Sequence, residues 1–185
     1  MFGSQTGNAA GLAEKTAKMA ANYELTASVV DMDGHDPASL VGAKRVLIIP
    51  STWGEGDMPD NAEALWQATC KANPSLSGLH YSVCGNGDTS HDEYCKSGID
   101  WDNKLSSLGA TSVQEIQLCD VDYEPPWATW VAEALPRIAC VDSSGNYCED
   151  LLDAMKAHGA GDEDDGAATG DYTPGVVEQP ELSVT

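Results

Sequence analysis

RVLIIPSTWGEG, residues 45–56, decides the fold. Arg45 to Ile49 is a continuous apolar, β-branched run of the kind buried on both faces of a parallel sheet, and Pro50 ends it. Beyond Pro50 stands a large indole, Trp53, set among Gly54 and Gly56. Open α/β sheets bind ligands at the carboxyl ends of their strands. Toward the C-terminus, Asp60 to Ala72 reads as a helix capped by Asp60 or Asn61 and closed by Pro74 and Gly78. Leu79 to Cys84 is the next strand. Tyr94, Ile99, Trp101, Leu105 and Leu108 give Asp92 to Leu108 a helical stripe, interrupted by Gly98 and stopped by Gly109. Ser112 to Leu118 reads as a strand, and Pro125–Pro126 open a helix that runs to about Ile138. Toward the N-terminus, Pro37 to Val41 fits a short helical turn and Leu25 to Val30 a strand. Gly11 to Ala21 is a helix with Leu12, Thr16, Met19 and Ala20 on one stripe. The alternation is that of a doubly wound α/β domain.

Only Met1 and Phe2 precede the first loop at Gly3, whereas a strand needs about five residues. The expectation is a chain that has lost the start of a central first strand, because its absence would leave two neighbouring edges unpaired. Beyond Cys140 the character changes. Tyr147 to Ala157 is helix-like, and GAGDEDDGAATGDYTPGVVEQPELSVT is acidic and nearly free of large apolar groups. Such a segment cannot bury enough surface to offset its ordering entropy. The expected organisation is a domain over 1–141, a short helical extension over 142–158 and an acidic flexible linker or tail over 159–185.

The 185 residues include 9 basic and 30 acidic ones. That balance argues against nucleic acid and anionic membranes as partners, since both need Lys and Arg to displace counterions. Residues 1–141 hold 19 acids and 8 bases, and 142–185 hold 11 and 1. The last quarter therefore carries almost half of the net charge. The six cysteines show no C-x-x-C spacing and read as free thiols in a reducing compartment. The histidines, His35, His80, His91 and His158, are too scattered for a metal site. No signal peptide is visible and no apolar stretch approaches the roughly 20 residues of a membrane span. The expectation is a soluble, cytoplasmic protein.

Two more loops resemble the Trp53 loop in position. In GSQTGNA, residues 3–9, the hydroxyls of Ser4 and Thr6 and the amides of Gln5 to Ala9 could surround a phosphate at a helix start, with Gly7 allowing close approach. A plain helix N-cap satisfies that composition equally well. GNGDTSHDEYC, residues 85–95, comes after a strand and carries Asp88, Thr89, Ser90 and His91. A phosphate cradle with two loops bearing flat groups suggests a nucleotide-like cofactor.

With these three motifs in order, the chain resembles the FMN-binding, flavodoxin-like domain of the diflavin reductases over about residues 2–138. That group includes NADPH–cytochrome P450 reductase and the sulfite reductase flavoprotein subunit, to which the block GDTSHDEYCKSGIDWDNKLSSLGA is most similar. The resemblance implies a parallel sheet of order 2-1-3-4-5 with its first strand largely missing; that order, with FMN at the switch point, is the known arrangement of flavodoxin itself. It also implies that Ser4, Gln5, Thr6, Gly7, Asn8 and Ala9 bind the FMN phosphate, and that Ser51, Thr52, Trp53 and Gly54 wrap one ring face. Asn86, Gly87, Asp88, Thr89, Ser90, His91, Asp92, Glu93, Tyr94 and Cys95 would border the other face and the pyrimidine end, and Asp120 lies near the flavin. The family usually has Tyr or Trp where His91 stands and a small apolar residue where Asn86 stands.

The function this implies is single-electron relay by FMN, from an FAD/NADPH reductase domain to a haem, sirohaem or iron–sulfur acceptor. The protein would supply orientation, tuning and docking. No side chain serves as general acid, base or nucleophile, and no metal is bound. Glu55, Asp57, Asp60, Asp88, Asp92 and Glu93 would steer a basic-surfaced metalloprotein. EQPELSVT could begin a connector to an FAD/NADPH domain, without which the chain should not oxidise NADPH. The alternatives are a flavodoxin-like quinone reductase and a flavin-free binding module.

Overall fold

A computed structural model describes residues 1–159. Strands β1 (Phe2–Gly3), β2 (Arg45–Pro50), β3 (His80–Asn86), β4 (Thr111–Ser112) and β5 (Gln117–Cys119) form one parallel sheet. Helices α1 (Asn8–Ala20), α2 (Asp60–Ala72), α3 (Lys96–Ser107) and α4 (Glu124–Ala139) cover its faces, and α5 (Leu152–Gly159) comes last. β1 pairs with β2, β2 with β3, and β3 with both β4 and β5.

The stretch Leu25 to Val30 is not a strand. It meets the sheet only through the parallel bridge Phe2–Asp31, with the Phe2 N–H donating to Val30 O and the Met32 N–H to Phe2 O. β1 offers too few residues to pair with more of it. The spatial order is nevertheless the expected one: the Asp31 segment, β1, β2, β3, then β4 and β5. The short β1 also affects β2, which it reaches only at Ile49 and Pro50. Val46 and Leu47 are half-buried and Arg45 is exposed, so it is β3, paired on both sides, that is buried throughout.

The strand expected over Ser112 to Leu118 is broken into β4 and β5. At the break, two hydroxyls donate to Gln114 O, that of Ser82 from β3 at 2.9 Å and that of Ser112 at 2.8 Å, satisfying a carbonyl that a continuous ladder would have used. The same Ser82 oxygen accepts from the Trp130 indole N–H at 2.8 Å. Trp127 repeats the arrangement, donating to Thr16 Oγ1 at 3.0 Å.

Strand alternation divides the core in two. Ile49 and Cys84 face α1 and α4, with Leu12, Trp127, Trp130, Val131 and Leu135. Ile48, Tyr81 and Val83 face α2 and α3, with Leu65, Trp101 and Leu105. On that second side the helix lies unusually close to the strand. A Cβ on Gly98 would lie 2.7 Å from the Gly85 Cα, and one on Gly85 would lie 3.2 Å from the Gly98 Cα. Both contacts are with backbone, which cannot rotate away. Gly98→Ala is therefore expected to cost about 1–3 kcal/mol by overpacking. A urea midpoint within error of the parent chain would show that α3 can shift freely.

Residues 142–159 fold back onto the domain. Val141 bridges Tyr147, Lys156 pairs with Glu133 at 2.9 Å, and Gly159 packs against Tyr23. Apart from Gly159, the linker or tail expected over 159–185, including EQPELSVT, lies outside the described residues. Among the described residues, no helix is long and apolar enough to cross a membrane and no His/Cys/Asp/Glu group could hold a metal ion. Cys84, Cys95, Cys119 and Cys140 are buried free thiols, Cys70 is half-buried and Cys148 exposed.

Candidate functional site

The carboxyl ends of β1, β2 and β3 each release one of the three loops, and the loops meet around a cavity of about 600 Å³. Its lining includes Gln5, Thr6 and Asn8 from the first loop, Ser51, Thr52, Trp53 and Gly54 from the second, and Asn86, Gly87, Asp88, His91, Glu93, Tyr94 and Cys95 from the third. Three sequence segments far apart thus converge because parallel strands present all their carboxyl ends on one side.

The first loop turns at Gly7, whose φ of 92° favours glycine. The Ser4 hydroxyl accepts the Gly7 N–H at 3.0 Å, so that amide is engaged within the loop. Among the described residues, no group accepts from the N–H of Gln5, Thr6, Asn8 or Ala9, which cluster at the start of α1. Ala9 contributes only its backbone here, its methyl group being fully buried in the α1 side of the core.

The expected caps of α2 have another role. Pro59 stands at the N-cap without a side-chain bond. Asp60 Oδ2 accepts from Gln5 Nε2 at 2.9 Å, and Gln5 Oε1 accepts the Asp60 N–H at 3.1 Å. Asn61 Oδ1 accepts the Ser4 N–H at 2.8 Å. Both residues thus bond the first loop, and Asn61 also donates its Nδ2 to Asp31 Oδ1.

The second loop is a tight turn. The Trp53 N–H donates to Asp57 O at 3.0 Å, and the Gly56 and Asp57 N–H groups donate to Trp53 O. Trp53 is thereby held with 48% of its surface exposed beside the cavity. Thr52 reaches across, its N–H donating to Asn86 O and its hydroxyl accepting the Ser97 N–H at 3.1 Å. It supplies the first turn of α3 with a cap from outside its own segment.

The third loop ends at Cys95, a non-glycine residue at φ 52°. Its thiol shares one proton between Gly85 O at 3.3 Å and Cys119 O at 3.4 Å, tying the end of the loop to β3 and β5. Burial pushes the Cys95 thiol up to about 11, so it stays protonated at neutral pH. Burial likewise raises the Tyr94 hydroxyl. Asn86 is 5% exposed and borders the cavity, yet neither polar atom of its carboxamide has a partner among the described residues.

Ser4, Gly7, Ala9, Thr89, Ser90, Asp92 and Asp120 stand outside the lining. Asp120 instead anchors the third loop, accepting the Thr89 hydroxyl at 2.5 Å and the Thr89 N–H at 3.0 Å. These bonds, the Thr89 hydroxyl first, hold its carboxyl below the usual range. A carboxylate depressed by folding contributes stability above its unfolded value of about 3.9, and that contribution is lost as pH falls through the folded value. The NMR resonance of the Thr89 amide should therefore shift with pH only below about pH 4, and by less in Asp120→Asn. Titration near neutral pH would break this assignment. Val121 and Tyr123 also line the cavity and carry no motif. Their signal is positional, since they lie just past the carboxyl end of β5.

A family model described as flavodoxin matches residues 1–133. The chain is similar to the sulfite reductase (NADPH) flavoprotein alpha-component of Vibrio parahaemolyticus, with 40% identity over 150 residues, 80% of this chain and 24% of that one. It is 41% identical over 139 residues to the protein of the same description from Aliivibrio fischeri, covering 75% and 23%. It thus spans about a quarter of the length of the curated relatives it matches. Among solved structures it resembles the Streptococcus pneumonia TIGR4 flavodoxin, with a TM-score of 0.67, 28% identity and coverage of 75% and 94%. A flavodoxin mutant from Pseudomonas aeruginosa gives 0.66, 26%, 74% and 95%.

Proposed function

The chain belongs to the flavodoxin family, and from that membership we propose that it is the FMN-binding, electron-relaying part of a diflavin reductase. FMN accepts and donates single electrons, so in this reading the flavin ring supplies the redox chemistry and the protein its binding and surroundings. The observation that carries the reading is the Asn86 carboxamide, buried at the cavity with donor and acceptor both unpaired. An orphaned buried polar group costs about 1–3 kcal/mol. The pyrimidine end of a flavin offers carbonyl and N–H groups of the kind that would remove that cost.

The residues fit the other parts of FMN. The free amides of Gln5, Thr6, Asn8 and Ala9 suit a phosphate at a helix start without any cationic side chain. Trp53 offers an indole face to the ring, and His91 a smaller face on the third loop. The chain's own work is to bind, to orient and to limit water at the ring.

The electron donor would be an FAD/NADPH reductase domain, and the acceptor a basic-surfaced metalloprotein carrying haem, sirohaem or an iron–sulfur centre. Exposed Glu55, Asp57, Asp92 and Glu93 on the loops around the cavity, with Asp60 at the start of α2, would speed encounter with such a partner. The test is to titrate the full chain with FMN by flavin fluorescence, and then to measure electron transfer from the reduced complex to a basic haem protein against ionic strength. Stoichiometric uptake and a rate that falls with salt are expected. Absence of uptake rejects the flavin reading, and a flat or rising rate rejects the steering.

A further inference from the structure

We propose that Asn61, which does not border the cavity, is a positioning residue that sets the preference of the first loop for a phosphorylated flavin. The inference rests on the flavin reading above. Asn61 is half-buried in the first turn of α2 and acts as a strut between two distant segments. Its Oδ1 accepts the Ser4 N–H at 2.8 Å, and its Nδ2 donates to Asp31 Oδ1 at 2.8 Å. Asp31 is itself fixed, accepting the Asp33 N–H at 2.9 Å and bridging Phe2 of β1.

Beside this strut, Gln5 and Asp60 exchange their two bonds. The first turn of α2 therefore grips the start of the loop at two successive residues. Asn61 fixes the Ser4 backbone through its N–H, and from that position the Ser4 hydroxyl accepts the Gly7 N–H and closes the turn. The amides of Gln5, Thr6, Asn8 and Ala9 remain pointed at no protein acceptor. Asn61 thus touches no ligand but arranges the groups that would. Holding a loop in its binding conformation lowers the ordering cost of association, and that saving applies only to a ligand that uses the loop.

Riboflavin provides the control, because it carries the same ring without the phosphate. The experiment measures dissociation constants of FMN and riboflavin for the full chain, Asn61→Ala and Asp31→Ala, with Ser4 amide hydrogen exchange on each flavin-free protein. Asn61→Ala should weaken FMN about tenfold while changing riboflavin less than about twofold, and should deprotect the Ser4 amide. Asp31→Ala frees only the far end of the strut and should shift the FMN-to-riboflavin ratio in the same direction by less. It keeps the question open to refutation if Asn61→Ala does not fold. Equal weakening of both flavins, or an unchanged ratio in both variants, overturns the proposal. Failure of the unsubstituted chain to take up either flavin overturns the flavin reading itself.

Discussion

Trp130→Ala should lower the unfolding free energy by about 3–5 kcal/mol, the range found when a buried aromatic side chain is truncated. Trp130 is 2% exposed and packs with Leu12, Cys84, Val131 and Leu135 between α4, α1 and the sheet. It also takes part in a polar relay, since its indole N–H donates to Ser82 Oγ and that hydroxyl donates to Gln114 O. Truncation leaves a cavity and removes the donor to a fully buried oxygen. Trp130→Phe separates the two effects: it keeps most of the packing and loses the hydrogen bond, for which about 1 kcal/mol is expected. Urea unfolding of the three proteins measures both. A Trp130→Ala loss below about 1 kcal/mol would mean that α4 collapses onto the gap.

Trp53→Ala should raise the FMN dissociation constant by about one to two orders of magnitude, the value of an aromatic contact plus the apolar area it covers. The effect should be confined to binding. The turn that carries Trp53 is held by backbone bonds between Trp53 and Asp57, which survive loss of the indole, and nearly half of the side chain is already exposed. The melting temperature of the flavin-free protein is accordingly expected to stay within error of the parent, and Trp53→Phe should recover much of the affinity. An affinity change of less than about twofold in Trp53→Ala would show that the ring does not use this face.

Local pattern makes much of this legible. α2 runs over Asp60–Ala72 as its apolar stripe and flanking prolines require, and β2 and β3 begin and end within two residues of their apolar runs. The failures are all long-range. Ser112 to Leu118 has strand composition, but the hydroxyls of Ser82, on another strand, and of Ser112 take the Gln114 carbonyl from its ladder. Leu25 to Val30 has strand composition too, but it meets only the short β1. Asp60 and Asn61 look like caps by spacing, yet a residue that can cap can also bond elsewhere: Pro59 takes the N-cap position, and their side chains bond Gln5 and Ser4. At the site, the loops are readable because glycines, hydroxyls and a lone indole at strand ends have few other uses. The family resemblance puts Asp120 near the site, but its hold on Thr89 has no sequence signal, and Val121 and Tyr123 have ordinary composition.

The contact between Gly85 and Gly98 bears on how such a site can diverge. It brings the two feet of the third loop into direct backbone contact, β3 on one side and α3 on the other. Between those feet Asn86, Gly87 and Cys95 still bond the sheet, whereas Ser90 to Glu93 make no bond to it among the described residues. His91 and its neighbours form an exchangeable cassette, in which substitutions adjust cofactor chemistry while the fold beneath is insulated from them. Variation in tuning and constancy of framework become separable traits, divided at two residues that have no side chains.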